Sequence, residues 1–282
     1  MALLERKVAL VTGASRGIGA AIAKRFAAEG ASVAVTARSL EPHPTLPGTL
    51  LETVDWIEQH GGEAVAIQGD LANPDSWPSI VDGAQQAFGP IDILVNNAAA
   101  AFYLPFASTS QKRLRVAYEI NVFAPWHLTQ LVYPGMREQG EGWVLNISSA
   151  TSRHAVGPPY DEFTKTATLY GSTKAALERM TTGLAAALYE DRIRVNSMAP
   201  LAAVMTEGAQ ALGVVPQAAV REAESLEAMA EASLALCSTR DPDLTGRITH
   251  CTPILTELGC PVRTLDGKQT LDGPRADQAP RP

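Results

Sequence analysis

Val8-Ala9-Leu10-Val11 is apolar at every position, so a strand built from it must be covered on both faces. Similar short runs recur at 32–37, 64–68, 91–95, 144–147, 194–198 and 247–251. Between them lie longer helical patterns at 18–29, 50–60, 74–88, 111–137, 167–190 and 216–237, the fourth hinged near Pro125. Fully covered strands joined by helices specify one α/β domain, a doubly wound parallel sheet with helices on both faces. A chain of 282 residues that is 46% hydrophobic is long enough for such a domain. Residues 1–260 carry the pattern. From Pro261 the chain turns to Asp, Gly, Pro and Arg without periodicity, so 261–282 reads as a flexible tail.

The formal net charge of −7 argues against nucleic acid and anionic membrane as partners. No apolar run approaches the ~18 residues of a membrane span. Strand character begins near Lys7, which leaves no room for a cleavable signal and points to the cytoplasm. Cys237, Cys251 and Cys260 are odd in number and lack CxxC spacing, as expected of reduced thiols. The histidines show no HExxH-like spacing, so no metal site is expected.

The first strand leads into Thr12-Gly13-Ala14-Ser15-Arg16-Gly17-Ile18-Gly19, which also opens the first helix. Glycines here permit a tight turn, a close approach of backbone to pyrophosphate, and close helix–strand packing. The helix N-terminus behind them favours an anion. The second strand ends Val35-Thr36-Ala37-Arg38, without the carboxylate that NAD-selective sites place there for the ribose hydroxyl. Arg38, with Arg16 in the glycine turn, suits a 2′-phosphate, so NADP(H) is expected over NAD(H). The other reading of both is ordinary surface arginines.

Tyr170 and Lys174 are spaced to lie one above the other on a helix face. Tyrosine ionises near pH 10 and each unit is worth about 1.4 kcal/mol. Near-neutral proton transfer therefore asks for roughly 4 kcal/mol of phenolate stabilisation, from a lysine together with a cationic cofactor. Tyr160 is the rival, but Lys165 is five residues on and the preceding prolines resist a helix.

With Gly13-x-x-x-Gly17-x-Gly19, Asn96-Asn97-Ala98, Asn121, Ser149 and Tyr170/Lys174 in this order, the chain resembles the short-chain dehydrogenase/reductase family, in its hydroxysteroid dehydrogenase-like branch. The resemblance covers about 7–259. It implies a Rossmann-type sheet of about seven strands in the order 3-2-1-4-5-6-7. It implies Tyr170 as general acid/base, Lys174 on the nicotinamide ribose, Ser149 on the substrate oxygen, and Asn121 anchoring a relay water. Ser148 is the alternative to Ser149, since side chains alternate along a strand. The cofactor residues it implies are Gly13, Ser15, Arg16, Gly17, Ile18, Gly19, Arg38, Asp70, Leu71, Asn97, Ala98, Tyr170, Lys174 and Pro200. Asp70 reads equally well as a helix cap, and Thr206 is a further candidate for the carboxamide.

A proline-rich insert with His43 occupies 41–48, of a kind that the resemblance places in the hydroxysteroid dehydrogenase-like branch, and reads as a surface loop or a lid beside the adenosine phosphate. The chain departs from the family in three places. Ala99 and Leu201 stand where glycine is usual. Ser149 and Tyr170 lie 21 residues apart, a longer interval than the family usually shows, which makes the intervening loop a candidate substrate border.

The expected function is NADP(H)-dependent interconversion of a secondary alcohol and a ketone. Phe102, Tyr103, Leu104, Phe106 and the apolar 201–235 stretch suggest an apolar, cyclic or steroid- or terpenoid-like substrate, although both groups also suit core or subunit contacts. The alternatives are a 3-oxoacyl-thioester reductase, for which Arg113 and Arg115 are the one basic cluster, and a non-catalytic NADP(H)-binding sensor. A homodimer or homotetramer through the 111–137 and 167–190 helices follows by resemblance.

Overall fold

Each of the seven apolar runs forms a strand: β1 (Val8–Thr12), β2 (Ser32–Ala37), β3 (Glu63–Gln68), β4 (Ile93–Asn96), β5 (Gly142–Ile147), β6 (Ile193–Ala199) and β7 (Ile248–His250). The computed structural model describes residues 2–42, 46–201, 203–213 and 223–274. All neighbouring strands are parallel, in the order β3-β2-β1-β4-β5-β6-β7. The central strands β1, β4, β5 and β6 are buried at every position, whereas the edge strands β3 and β7 are not. Strand order reverses between β1 and β4, and the crevice beyond their carboxyl ends is where such a sheet binds ligands.

The helices are α1 (Gly17–Ala28), α2 (Leu50–Gln59), α3 (Trp77–Phe88), α4 (Gln111–Tyr118), α5 (Ala124–Gln139), α6 (Glu162–Thr166), α7 (Thr168–Ala187), α8 (Glu207–Leu212), α9 (Leu226–Ser238) and α10 (Cys251–Leu258). On one face of the sheet Phe26, Ile57, Leu234 and Ile254 bring α1, α2, α9 and α10 into one apolar cluster. On the other, Ile80, Leu128, Met136 and Ala185 do the same for α3, α5 and α7. Arg25, buried in α1, donates to Glu231 Oε2 of α9 at 2.7 Å and to Glu29 Oε1 at 2.7 Å, which ties two helices of the first face together.

Four boundaries differ from the sequence expectation. The 111–137 stretch bends through a π-helical turn, Glu119–Phe123, so the hinge begins before Pro125. Of the helix expected over 216–237, the described part is Leu226–Ser238, opened by the Ser225 hydroxyl, which accepts from the Ala228 amide at 3.0 Å. Its expected start at 216 lies outside the described residues. The last strand stops at His250, and Cys251 opens α10, whose Ile254 and Leu255 are buried; apolar spacing this short reads as strand or helix alike. The loose tail expected from Pro261 does not hold for residues 261–274. Arg263 and Thr270 form an antiparallel bridge, Val262 is buried, and Leu265 and Leu271 pack on the core. The Ser225 amide donates to the Pro274 carbonyl at 2.9 Å. Three apolar side chains suffice to anchor a segment whose composition reads as disordered.

Among the described residues no helix is long and apolar enough to cross a membrane, and no acidic, His and Cys cluster could hold a metal ion. The three cysteines are unpaired, and burial pushes the Cys237 and Cys251 thiols well up.

Candidate active site

The glycine turn follows β1 directly. Gly13 and Gly17 take φ +66° and +56°, the left-handed region that side chains disfavour. A Cβ on Gly13 would stand 2.8 Å from the Ala98 Cα, and one on Gly19 would strike the Gly13 carbonyl and the Asn97 amide. Asn97 is what braces this turn: its Nδ2 donates to the carbonyls of Thr12 (2.9 Å) and Gly13 (3.2 Å). The Thr12 hydroxyl accepts from the Asn97 and Ala98 amides at 3.0 and 3.1 Å, joining the ends of β1 and β4. Thr12 carries this role without having been singled out by the sequence motif. The first turn of α1 holds no acidic residue, so its free amides favour an anion.

Beyond the turn opens a cleft of about 460 Å³. Gly13, Ser15, Arg16, Gly17, Ile18, Arg38, Asp70, Leu71, Asn97 and Ala98 all line it. Gly19 is buried behind the turn, and Pro200, after β6, is not among the lining residues. Arg38 is exposed at the end of β2, with Ala37 and no carboxylate beside it. Arg16 is committed elsewhere. Its Nε and Nη2 donate to the carbonyls of Pro47 and Gly48, both at 2.8 Å, so it holds the proline-rich insert against the glycine turn. Asp70 both lines the cleft and caps a turn, accepting from the Ala72 amide at 3.0 Å. Thr206 lines the same cleft while its hydroxyl caps α8 through the Ala209 amide at 3.1 Å. His43 lies outside the described residues.

The second cluster sits on α7. Lys174, 2% exposed, donates to the Ile147 carbonyl at 2.7 Å and stands 5.7 Å from the centre of the Tyr170 ring. Burial brings its ammonium down to about 8, against a weaker opposing pull from Glu178. Ser148 and Ser149 diverge. The Ser148 hydroxyl is buried and donates to Glu178 Oε1 at 2.6 Å, whereas the Ser149 hydroxyl accepts from the Thr151 hydroxyl at 2.9 Å and lies near enough to the Tyr170 phenol to ease its ionisation. Among the chain's own groups the phenol is pushed up rather than down: burial dominates, Tyr103 adds to it, and the Ser149 hydrogen bond offsets only part. The depression that a lysine neighbour suggests is absent, because burial penalises both charged forms at once.

Asn121 lies in the π turn and is fully engaged. Its Oδ1 accepts from the Ala100 amide at 2.8 Å, and its Nδ2 donates to the Ala100 carbonyl (3.0 Å) and to Thr173 Oγ1 (2.9 Å). It thereby fastens the cleft-lining Ala100 segment to α7 between Tyr170 and Lys174. Tyr103, further along that segment, sets its ring centre 5.5 Å from that of Tyr170 and 5.4 Å from that of Phe163. Burial pushes the Tyr103 phenol up to about 12. Tyr160, the rival tyrosine, is exposed on the loop before α6.

A model of the short chain dehydrogenase family matches residues 7–213. The chain belongs to this family. As a short-chain dehydrogenase it is 34% identical over 253 residues to the 7alpha-hydroxysteroid dehydrogenase of Escherichia coli K12, covering 87% of this chain and 92% of that one. Two solved structures place its fold. A 7alpha-hydroxysteroid dehydrogenase complexed with NADH and 7-oxo glycochenodeoxycholic acid superposes with TM-score 0.77 at 32% identity, over 88% of this chain and 94% of that one. A metagenomic short-chain oxidoreductase in complex with NADP superposes with TM-score 0.72 at 28% identity, over 89% and 99%. The short-chain dehydrogenase is thus an oxidoreductase of Rossmann type, in which the glycine turn, the cleft and the α7 cluster occupy one end of the sheet.

Proposed function

We propose that this short-chain dehydrogenase interconverts a secondary alcohol and a ketone with NADP(H), using Tyr170 as general acid/base. The observation that carries the reading is the placement of Tyr170 and the buried Lys174 on one face of α7, the ammonium 5.7 Å from the centre of the phenol ring. A bound nicotinamide dinucleotide would supply or accept the hydride. The residues fit such a group, since the glycine turn forms a cradle that a Cβ at Gly13 or Gly19 would fill. Arg38 would hold a ribose phosphate, the glycine turn and α1 the pyrophosphate, Asp70 and Leu71 the adenine, and Tyr170 and Lys174 the nicotinamide ribose.

On the substrate side, Tyr170 keeps its proton because burial raises its phenol, so it starts as the acid for ketone reduction. Ser149 donates to the same carbonyl oxygen, and two converging hydroxyls stabilise the developing alkoxide. Lys174, protonated below about 8, supplies the charge that favours return of the phenolate in the oxidation direction. Asn121 holds the Ala100 segment and α7 in register, with its side-chain groups already paired. Tyr103 packs its ring against those of Tyr170 and Phe163, an aromatic group beside the proton donor that suits an apolar, ring-containing ketone or alcohol; the hydroxysteroid dehydrogenase relatives support that substrate class. Leu114, Phe123, Trp126 and Leu131, exposed along α4, the π turn and α5, support pairing with a second copy of the chain.

The test is an assay of NADPH and NADH oxidation with cyclic ketones, a 7-oxo bile acid, aliphatic ketones and a 3-oxoacyl thioester. Turnover of a cyclic or steroid ketone, faster with NADPH and lost in Tyr170→Phe, is the expected result. Preference for the thioester would make the protein an acyl reductase, and cofactor binding without turnover on any carbonyl would make it a sensor.

A further inference from the structure

Ser149 and Tyr170 sit on different elements, 21 residues apart, so their separation needs a restraint. The restraint comes from α7, which grips residues 147–152 at successive heights. Lys174 Nζ donates to the Ile147 carbonyl at 2.7 Å. At Gly171 a Cβ would strike the Thr151 carbonyl oxygen, so the helix backbone lies directly on the turn. One helical turn beyond Lys174, Glu178 Oε1 accepts from the hydroxyls of Ser148 (2.6 Å) and Ser152 (2.7 Å). Those two serines bracket Ser149. Its own hydroxyl caps the short 3-10 turn Ala150–Ser152, accepting from the Thr151 amide at 3.2 Å.

We infer that Glu178 is a positioning residue whose carboxylate clamps both flanks of Ser149 to the helix carrying Tyr170 and Lys174. The inference rests on reading Ser149 and Tyr170 as the hydroxyls that act on the substrate. Among the described residues Glu178 enters no ion pair, so a negative charge there is directed at two hydroxyl donors; hydrogen bonds to an ionised acceptor are about twice as strong as neutral ones. Because the clamp joins residues 148 and 152 to α7 directly, the Ser149–Tyr170 spacing is independent of the length of the loop after Ser152. This explains how the chain carries a longer Ser–Tyr interval than its family usually shows.

Three variants test it: Glu178→Ala, Glu178→Gln, whose amide oxygen still accepts both hydroxyls, and the Ser148→Ala/Ser152→Ala double. Misplacing a reacting group by about 1 Å costs up to ~100-fold, so Glu178→Ala should lower kcat by about 10-fold or more while the KM for NADPH stays within about 2-fold. Glu178→Gln should recover most of that loss. In hydrogen–deuterium exchange the 147–153 segment should open faster in Glu178→Ala and not in Glu178→Gln, with the amides of α7 unchanged. Wild-type kcat in Glu178→Ala, unchanged exchange, or a Gln variant as impaired as the Ala variant overturns the clamp. If Glu178→Ala does not fold, the double serine variant decides, and wild-type kcat in it overturns the clamp as well. Should the wild-type protein reduce no carbonyl of the panel, the functional reading fails, and the exchange comparison alone judges the clamp.

Discussion

The ammonium of Lys174 is held against the carbonyl oxygen of Ile147 at 2.7 Å, and burial brings it down to about 8. NADPH is anionic, so the protonated lysine should bind it better than the neutral one. Affinity is therefore full below about 8 and weakens as pH rises through it. Fluorescence titration should show affinity falling by about 10-fold from about pH 7 to about pH 9 if only the protonated form binds. A flat profile, or the same profile in Lys174→Met, would exclude Lys174 as the group responsible.

The divergence of the paired serines sets a contrast. Tyr170→Phe should reduce kcat by about 10²–10⁴-fold with NADPH affinity little changed, as loss of a general acid does. Ser149→Ala should cost about 10- to 100-fold through the lost alkoxide donor. Ser148→Ala leaves Ser152 on Glu178 and should cost less than about 3-fold. Equal losses in the two serine variants would remove the basis for choosing Ser149.

On the proposed NADP(H) reading, Arg38 would carry the cofactor preference nearly alone, since Arg16 is bonded to Pro47 and Gly48. Arg38→Asp should raise the KM for NADPH and bring NADH to parity or better, because a carboxylate there repels a 2′-phosphate and accepts from a ribose hydroxyl. Arg16→Ala should act less on that preference and more on the order of the insert. Unchanged preference in Arg38→Asp refutes the assignment to NADP(H).

Two glycines should respond in opposite directions. A methyl on Gly19 meets the Gly13 carbonyl and the Asn97 amide, neither free to move, so Gly19→Ala should destabilise by about 1–3 kcal/mol and weaken NADPH binding. Gly135, inside α5, has only Pro90 Cβ near, at 3.7 Å, so Gly135→Ala should stabilise by up to about 1 kcal/mol. Thermal unfolding of both variants checks the pair.

Local patterns in the sequence were enough for the sheet and its parallel sense. Continuous apolar runs leave a strand no exposed face, and the glycine turn can stand only between a strand and a helix. The spacing of Tyr170 and Lys174 likewise fixes their shared helix face, because it depends on local geometry alone. Tertiary structure decided everything that depends on which distant group arrives. Arg16 reads as a phosphate ligand in sequence, but its guanidinium is taken by an insert 31–32 residues away. The Tyr170 phenol, beside a lysine, reads as lowered, yet burial raises it and Tyr103 adds to the rise. The tail after Pro261 reads as loose by composition, but Val262, Leu265 and Leu271 find the core. Glu178, an unremarked glutamate on α7, becomes the tie between Ser149's flanks and the helix of Tyr170. Burial and hydrogen-bond partners are properties of the assembled fold, and no local pattern encodes them.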